Sequence, residues 1–284
     1  MNMPRKTKIM AILNMTPDSF SDGGRLRTLD AALRTAEHAL VAGADILDVG
    51  GESTRPGAMP VEPDEEMQRV LPVIAAIRKE FPQAMLSIDT RKAAVANAAL
   101  EAGASMVNDV SGLQYDDAMT ETVARHEARL IIMHSQGTPD TMQKNPQYPR
   151  GIIEEITHFL GKQADLAIQA GIKREHILLD PGFGFGKTLS HNLTLLSRLD
   201  EISALGFPLL VGASRKSFLT LGNRDIPVHE REALTAVALS LAIQKGAAYV
   251  RVHDVETQFP IIRLAEALLE TEKQAMPSVA GIAG

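Results

Sequence analysis

The sequence predicts an α/β protein, a single (β/α)8 barrel (TIM barrel) over residues 1–284, with its active site at the carboxyl ends of the strands. Eight short apolar runs alternate along the chain with eight stretches of helical spacing. Glycine ends most of those stretches and leaves a short turn before the next run, whereas the segments after the runs are longer and polar. A doubly wound open sheet is the alternative, but it usually has fewer strands and carries a phosphate-binding glycine pattern that this chain lacks.

The apolar runs have the length and the flanking residues of strands that are buried on both faces of a parallel sheet. In the clearest case Ile177, Leu178 and Leu179 lead into Asp180, and the Pro-Gly that follows at once ends the strand. The predicted strands cover residues 8–13, 45–50, 84–88, 105–107, 129–133, 177–179, 208–212 and 249–252.

The stretches between the strands have the apolar spacing of amphipathic helices. For the first of them, Thr28 has the side chain of an N-cap residue and Gly43 is the stop signal. The predicted helices cover residues 28–41, 64–81, 93–102, 117–127, 152–170, 193–205, 230–245 and 259–273. Residues 276–284 are rich in small side chains, and we expect them to form a frayed tail.

The composition narrows the class of protein. Among 284 residues there is no cysteine, which excludes disulfides and thiolate metal sites. No window has the apolar length of a membrane span, and the polar, basic start of the chain does not have the pattern of a signal peptide. A net charge of −6 argues against nucleic acid as the main partner. We therefore expect a cytoplasmic protein that binds small molecules rather than nucleic acid or a membrane.

Polar and charged residues concentrate after the predicted strands, and the opposite strand ends show no such concentration. In a (β/α)8 barrel the carboxyl ends of all strands meet on one face, where active sites are found. Each residue taken alone could equally be a helix cap or a turn residue. The set consists of Asn14, Glu52, Thr54, Arg55, Asp89, Asn108, His134, Asp180, Arg215, Lys216, Arg251 and His253.

Two carboxylates and an amide form the first chemical group in this set, namely Asp89, Asp180 and Asn108. A carboxylate accepts two parallel hydrogen bonds from an amidine-like edge, and an asparagine both donates and accepts. The group therefore predicts recognition of a planar heterocycle that offers amino and ring N–H donors. The alternatives are an ion pair between Asp89 and Arg91 or a helix cap, and backbone capping by Asn108.

The second group is a cationic cluster in an acidic chain, made of Arg55, Arg215, Lys216, Arg251 and His253. A solvated surface is the usual fate of such charges. Arg251 and His253 argue against it, because their i, i+2 spacing places them on one side of a strand that should be buried. Together the two groups predict a heterocyclic ligand that carries a phosphate or diphosphate.

At these positions the chain also carries a series of longer motifs. They are NMTPDSFSDGG at 14–24, GGESTRPG at 50–57, DTR at 89–91, ND at 108–109, DPGFGFGK at 180–187, GASRKSFL at 212–219 and RVHD at 251–254. In sequence and order these motifs resemble those of the dihydropteroate synthase family of pterin-binding enzymes. The resemblance covers nearly the whole chain, and its departures are small, such as Met15 where valine is frequent.

The resemblance implies a transferase of folate biosynthesis, the enzyme class that sulfonamides inhibit. The reaction condenses 6-hydroxymethyl-7,8-dihydropterin diphosphate with p-aminobenzoate and gives 7,8-dihydropteroate and pyrophosphate, with Mg²⁺ as cofactor. An SN1-like route is our hypothesis, since positive charge on the departing CH2 can spread into the electron-rich pterin. The family is usually dimeric, so a homodimer is expected.

The resemblance also implies a role for each site residue. The pterin site would comprise Asp89, Asn108, Met133, Asp180, Phe185, Gly212, Lys216 and Arg251, of which Lys216, Asp89, Asp180 and Arg251 are the catalytic candidates. The diphosphate site would comprise Asn14, Thr54, Arg55, Arg251 and His253, with Asn14 as the metal ligand. The p-aminobenzoate site would comprise Phe20, Thr54, Pro56, Phe185, Lys216 and Ser217.

Two other functions share parts of this pattern. A methyltetrahydrofolate-binding methyltransferase has the barrel and the pterin-reading Asp and Asn residues, but it has no need for the motifs at 214–217 and 251–253. A non-catalytic pterin-binding paralogue is expected to have lost loop residues such as Asn14, Thr54 or Arg55, and this chain keeps them.

Overall fold

A computed structural model describes residues 7–15, 25–53, 57–137, 141–223 and 225–275. Within these ranges eight parallel strands close into a barrel in the order of the sequence, which confirms the predicted (β/α)8 architecture. The strands are β1 Lys8–Asn14, β2 Ile46–Gly50, β3 Met85–Asp89, β4 Met106–Asp109, β5 Arg129–Met133, β6 Ile177–Asp180, β7 Leu209–Val211 and β8 Ala247–Val252.

Helices follow the strands and pack around the barrel. They are α1 Arg25–Ala42, α2 Pro63–Glu80, α3 Ala93–Glu101, α4 Met119–Arg125, α5 Ile152–Gln169, α6 Leu189–Ser197, α7 Leu199–Ser203, α8 Glu232–Gln244 and α9 Val255–Ala275. In the part of the chain that the structure describes, none of them is long and apolar enough to cross a membrane. The expected tail at 276–284 lies outside the described residues.

The first helix begins at Arg25 rather than at Thr28, so the prediction of Thr28 as its N-cap is wrong. Two further predicted helices have different bounds because of side chains that cap them. The helix predicted at 193–205 begins at Leu189, where Thr188 and His191 form a capping box, and it is interrupted at Arg198. The last helix begins at Val255 rather than at 259, because Asp254 Oδ1 accepts a hydrogen bond of 2.9 Å from the backbone N–H of Thr257.

The barrel interior is closed by a layer of apolar side chains, which we call the barrel plug. Its members are buried and form a cluster separate from the main core between strands and helices: Met10, Ile46, Met106, Ile131, Leu178 and Leu210. Side chains on one face of a strand recur every second residue. The next inward positions toward the carboxyl ends are therefore those of Ile12, Asp48, Asn108, Met133, Asp180 and Gly212. Three of these six residues are polar, and we call this level above the plug the polar layer.

Candidate active site

An ion-pair cluster joins four strands at the centre of the polar layer. Arg251 on β8 places Nε 2.6 Å from Asp48 Oδ2 on β2, and its other nitrogen Nη2 lies 2.7 Å from Asp89 Oδ2 on β3. Asn108 on β4 donates to Asp48 Oδ2 over 3.1 Å. All three polar partners are buried, and Arg251 is half-buried. Buried carboxylates require such partners, so one guanidinium holds two strand ends together.

This arrangement overturns the local alternatives for two residues. Asp89 pairs with Arg251, whereas Arg91 pairs with Glu52 at 2.9 Å. Asn108 bonds to a side chain of the cluster rather than capping a backbone segment. Glu52, one of the predicted strand-end residues, is further bound by Lys92 at 2.6 Å, so it anchors the loop after β2 to the start of α3.

Unsatisfied acceptors remain inside this cluster. Among the described residues, Asp48 Oδ1 and Asn108 Oδ1 are buried side-chain oxygens without a hydrogen-bond partner. Buried polar atoms are almost always hydrogen-bonded, and an exception in a native structure calls for an explanation. Here the orphan oxygens lie in the polar layer over the plug, where a ligand with N–H donors would satisfy them.

Asp180 and Lys216 stand on the opposite side of the mouth. Asp180 is buried and its Oδ1 accepts a 2.7 Å hydrogen bond from the backbone N–H of Gly182. Lys216 lies with its ammonium 4.0 Å from the centroid of the Phe185 ring, a cation–π contact. Gly212 lies beside this carboxylate, since a Cβ there would stand 3.8 Å from Asp180 Oδ2, at ordinary van der Waals contact.

Burial shifts the pKa values of the acidic and basic side chains in the mouth toward 7. It raises the pKa of Asp89 to about 7, with the Arg251 guanidinium acting in the opposite direction, and the pKa of Asp180 to about 6. It lowers the pKa of Lys216 to about 8, assisted by the nearby charge of Arg251 and opposed by Asp180. Perturbed pKa values of this kind cluster at functional sites. A ligand that donates hydrogen bonds to these carboxylates would stabilise their charged form.

Two members of the predicted cationic cluster contact neighbouring polar side chains. Arg215 has a left-handed backbone (φ 59°) and pairs with Glu232 at the start of α8. His253 lies one residue beyond β8 and is exposed, and its Nδ1 is 2.9 Å from Ser214 Oγ.

The remaining predicted residues lie around the same face. Asn14 ends β1 in register with Gly50, which in turn pairs with Asp89. Met133 is buried and pairs with Asp180. Ser217 is exposed and begins a four-residue 3₁₀ turn rather than an α-helix. The predicted residues Phe20, Thr54, Arg55 and Pro56 lie outside the described residues.

A cavity of about 430 Å³ opens beside the cluster, between the loops that follow β2 to β5. Its lining includes Asp89, Tyr115, Gln136, Met142 and Phe185. Because it shares Asp89 and Phe185 with the groups above, it belongs to the same mouth. Its volume lies within the range of small-molecule sites.

Comparison with known proteins places this geometry in a family. The family model described as "Pterin binding enzyme" matches residues 10–253. The dihydropteroate synthase of Synechocystis sp. is 47% identical over 93% of this chain and 91% of its own length. The chain belongs to the dihydropteroate synthases of the pterin-binding enzyme family. These are transferases of folate synthesis.

Two solved dihydropteroate synthases superimpose closely on this chain. The Clostridium difficile enzyme, crystallised in the presence of pteroic acid, has a TM-score of 0.87 and 42% identity, and the match covers 93% of this chain and 97% of that one. The Xanthomonas albilineans enzyme with 4-aminobenzoic acid has a TM-score of 0.86 and 39% identity, with 96% and 94% covered. The methyltransferase and binding-paralogue alternatives are not favoured.

Sequence reasoning missed two charged groups of this dihydropteroate synthase fold. Asp48 lies inside β2 rather than after it, so a search of strand ends passes over it. The signal in the sequence is its position two residues after Ile46, because side chains two residues apart on a strand point to the same face of the sheet. Lys187 was read only as the end of a glycine-rich motif, yet it is buried against His134, with Nζ 3.0 Å from Nδ1.

Proposed function

We propose that the polar layer over the barrel plug binds the pterin ring of 6-hydroxymethyl-7,8-dihydropterin diphosphate. The observation that carries this assignment is the pair of buried orphan oxygens, Asp48 Oδ1 and Asn108 Oδ1, beside the carboxylates Asp89 and Asp180. Acceptors in this arrangement match the amino group and ring N–H groups of a pterin. Lys216 then donates to the ring carbonyl and ring nitrogen from the Phe185 side, and Met133 and Gly212 shape the walls of the site.

The diphosphate is assigned to the outer rim of the mouth. Asn14, Arg251 and His253 belong to described strand ends on this face, and Thr54 and Arg55 are assigned there from the family motif. Cations at this rim stabilise the charge that develops on the leaving diphosphate. The guanidinium of Arg251 can also stack on the pterin plane.

The donor set fits a Mg²⁺ ion that is held mainly by substrate. Among the described residues no group of three His, Cys, Asp or Glu side chains could hold a metal ion, and Asp48 and Asp89 are engaged by Arg251. Mg²⁺ takes few protein ligands and usually binds together with substrate phosphates, so the Asn14 amide oxygen would be its protein ligand. When bound, the metal supplies charge neutralisation on the diphosphate.

The reaction breaks the CH2–O bond of the pterin substrate, and the electron pair leaves with the diphosphate. The positive charge left on the CH2 group spreads into the pterin, where the nearby carboxylates Asp89 and Asp180 favour it. The amine of p-aminobenzoate then attacks the CH2 group and loses a proton to water. The arylamine is neutral at pH 7, so no strong general base is required, and we propose an SN1-like route.

The p-aminobenzoate is assigned to the loops above this layer. Phe185, Lys216 and Ser217 would form the inner wall, and Phe20, Thr54 and Pro56 the covering wall. The Xanthomonas albilineans relative binds 4-aminobenzoic acid, which supports a site of this chemistry. Sulfonamides are expected to compete there, as competitors of the arylamine.

A homodimer is the proposed assembly. Exposed apolar residues at i, i+4 spacing lie on two helices that pack together, Val237 and Leu241 on α8 and Leu264 and Leu268 on α9. Apolar faces of this kind mark protein interaction sites. Sedimentation equilibrium is expected to give twice the chain mass, and a monomer mass at all concentrations would contradict the assembly.

The test of the assignment is turnover with Mg²⁺, measured as pyrophosphate release with and without p-aminobenzoate and as formation of dihydropteroate. The Asp180→Ala and Lys216→Ala variants are expected to lose about 100-fold or more in kcat/KM, because each removes a group that faces the reacting pterin. Retained turnover in either variant would overturn its role.

An exposed ion pair supplies matched controls for both substitutions. Asp200 and Lys245 pair at 3.0 Å on the outer surface, so Asp200→Ala and Lys245→Ala remove the same side chains away from the mouth. Both controls are expected to keep wild-type turnover. Pterin binding without product in the wild-type protein would favour the non-catalytic paralogue.

A further inference from the structure

A buried ammonium group stands behind the active site, at the end of the loop that follows β6. Lys187 is 3% exposed, and its Nζ donates to the carbonyl oxygens of Gly182 (2.8 Å) and Phe185 (3.0 Å). The same Nζ lies 3.0 Å from His134 Nδ1 and 3.4 Å from the His134 carbonyl oxygen. Burial lowers the pKa of Lys187 to about 7, with the Asp180 charge acting in the opposite direction, so the group is a full cation only below that pH. In either charge state its N–H donors hold the loop after β6 against the end of β5.

His134 serves this contact as a neutral acceptor. Burial lowers the pKa of His134 to about 2, and the adjacent Lys187 charge acts in the same direction. A neutral imidazole offers one ring nitrogen as an acceptor, and the neighbouring ammonium selects Nδ1 for that role. The ring is fixed from the other side by an edge contact with Phe159, at 5.0 Å between centroids.

Other side chains donate hydrogen bonds to two carbonyl groups of this loop that Lys187 does not reach. The Gly184 carbonyl accepts from Gln143 Nε2 at 2.7 Å, and the Gly186 carbonyl accepts from the Tyr148 hydroxyl at 2.8 Å. Both donors come from the long segment between β5 and α5. The loop is thus cross-braced by side chains on its outer side and by the ammonium on its inner side.

The braced loop carries two groups of the proposed pterin site. The backbone N–H of Gly182 holds Asp180 Oδ1 at 2.7 Å, and the Phe185 ring lies under the Lys216 ammonium at 4.0 Å. The Lys187 ammonium binds the carbonyls of both carrier residues, Gly182 and Phe185. Its position therefore sets where the Asp180 carboxylate and the Phe185 ring can stand.

We infer that Lys187 is a positioning residue for pterin recognition. The inference rests on the proposed pterin site: Lys187 acts through Gly182, Asp180 and Phe185 and does not itself touch the substrate. Groups that bind a ligand precisely are held by supporting contacts of this kind, and a loosened support costs affinity without removing a ligand contact. A residue that only stabilises the fold would not distinguish between the two substrates.

The test is the Lys187→Met variant, which keeps the length and apolar stem of the side chain and removes its donors. Pterin affinity is measured by fluorescence titration with 6-hydroxymethylpterin, and KM is measured for each substrate. We expect the pterin Kd to rise about tenfold, as for the loss of hydrogen bonds from a buried charge, and the KM for p-aminobenzoate to rise by a smaller factor, since Phe185 is the one residue of this support that also lines the p-aminobenzoate site. The exposed Lys245→Met is the control and is expected to leave both constants unchanged.

A second readout follows from charge. The Lys187 ammonium lowers the pKa of the Asp180 carboxyl, in concert with Lys216 and Arg251, which also face it. Pterin binding in Lys187→Met is therefore expected to weaken at a higher pH than in the wild-type protein. An unchanged pterin Kd together with a lower melting temperature would overturn the inference and leave Lys187 a structural residue.

Two further measurements keep the outcome decisive. If Lys187→Met does not fold, Lys187→Gln takes its place, because its shorter amide side chain cannot donate to the Gly182 and Phe185 carbonyls together, and an unchanged pterin Kd in that variant would overturn the inference. The Asp180→Asn variant separates the inference from the function on which it rests. If neither it nor Lys187→Met alters pterin binding, the proposed site is wrong; if only Asp180→Asn does, the positioning role alone is wrong.

Discussion

Asp180 is the residue whose charge state is expected to set the pH range of pterin binding. Burial raises the pKa of this carboxyl to about 6, while the Gly182 N–H and the nearby cations lower it in part. The carboxylate accepts two hydrogen bonds from an amidine-like edge, and the protonated form does not. Pterin affinity is therefore expected to fall by up to about tenfold per pH unit below pH 6. Fluorescence titration between pH 5 and 8 measures it.

The Asp180→Asn variant is the control for this pH dependence. It is expected to bind weakly and to lose the decline below pH 6, while a separate decline near pH 7 from Asp89 can remain, since burial raises the pKa of that carboxyl to about 7. Wild-type affinity that stays constant down to pH 5 would contradict the role of Asp180. The effect on folding has the opposite sign, because a raised pKa means that protonation stabilises the folded protein as the pH falls toward 4.

Single residues are also where the limits of sequence reasoning are clearest. The motifs led to Asp89, Asn108 and Asp180, whose polar side chains follow apolar strands, and the structure brings them to one mouth. They did not predict the ion pair of Arg215 with Glu232, because the left-handed backbone at Arg215 has no signal in the sequence. Asp48 was missed since its partner Arg251 is distant in the chain, and only the barrel closure brings them together.

At the scale of elements, the loop between β6 and α6 needs glycine at position 182 for two separate reasons, the backbone conformation and the lack of space for a side chain. Gly182 has φ +70°, and a Cβ there would lie 2.0 Å from the His134 carbonyl oxygen. Gly151, before α5, has φ +92°, and a Cβ there would meet no atom within 4 Å. The two positions share left-handed backbone strain and differ in the clash.

We expect Gly182→Ala to abolish measurable pterin binding and Gly151→Ala to leave it unchanged. The second substitution costs only the left-handed strain, about 1–2 kcal/mol. The first must in addition displace the end of β5 or the loop that holds Asp180, because backbone cannot yield as a flexible side chain does. Pterin titration and thermal unfolding of both variants measure the difference, and similar pterin affinities would show that the loop adapts.

The elements themselves were largely predictable, apart from their starts. Apolar runs and glycine stops located the strands because a strand in a closed parallel barrel is buried on both faces. The starts of α6 and α9 were missed since the side chains of Thr188 and Asp254 define them through local cap hydrogen bonds. No glycine or proline in the sequence indicates the break in the helix at Arg198.

At the scale of the molecule, the barrel plug supports the polar layer that the site uses. Leu178 is fully buried in the plug, two residues before Asp180 on β6. Leu178→Ala is expected to lower the free energy of unfolding by about 2–5 kcal/mol, since it leaves a cavity in a closed interior. Urea denaturation measures the change.

A leucine on the outer surface provides the matched control. Leu193 on α6 is 41% exposed, so Leu193→Ala removes the same atoms from a site that solvent reaches, outside the closed barrel interior. It is expected to change the free energy of unfolding by less than about 0.5 kcal/mol. Equal losses in the two variants would mean that the plug does not determine the stability of the barrel.

The closed barrel could be predicted as a whole because eight repeats of one pattern reinforce each other, whereas its interior layering could not. Which residues face inward depends on strand register, and a shift of one residue exchanges the two faces. Register is fixed by pairings between neighbouring strands of the barrel that a helix separates in the sequence, such as Asp89 with Asn108 and Met133 with Asp180. Short strands of four residues carry too little periodicity to define it.

The plug also determines how water reaches the reacting centre. Its six side chains are at most 1% exposed, so no path for solvent leads through the barrel from the amino ends of the strands. Water, like the arylamine, must arrive over the carboxyl ends. If a cationic CH2 centre forms there, water competes with the amine to trap it, and hydrolysis would waste the pterin diphosphate. The ratio of condensation to hydrolysis is then decided on the carboxyl-end side of the strands, which makes hydrolytic loss a measure of how well that side excludes water from the reacting centre.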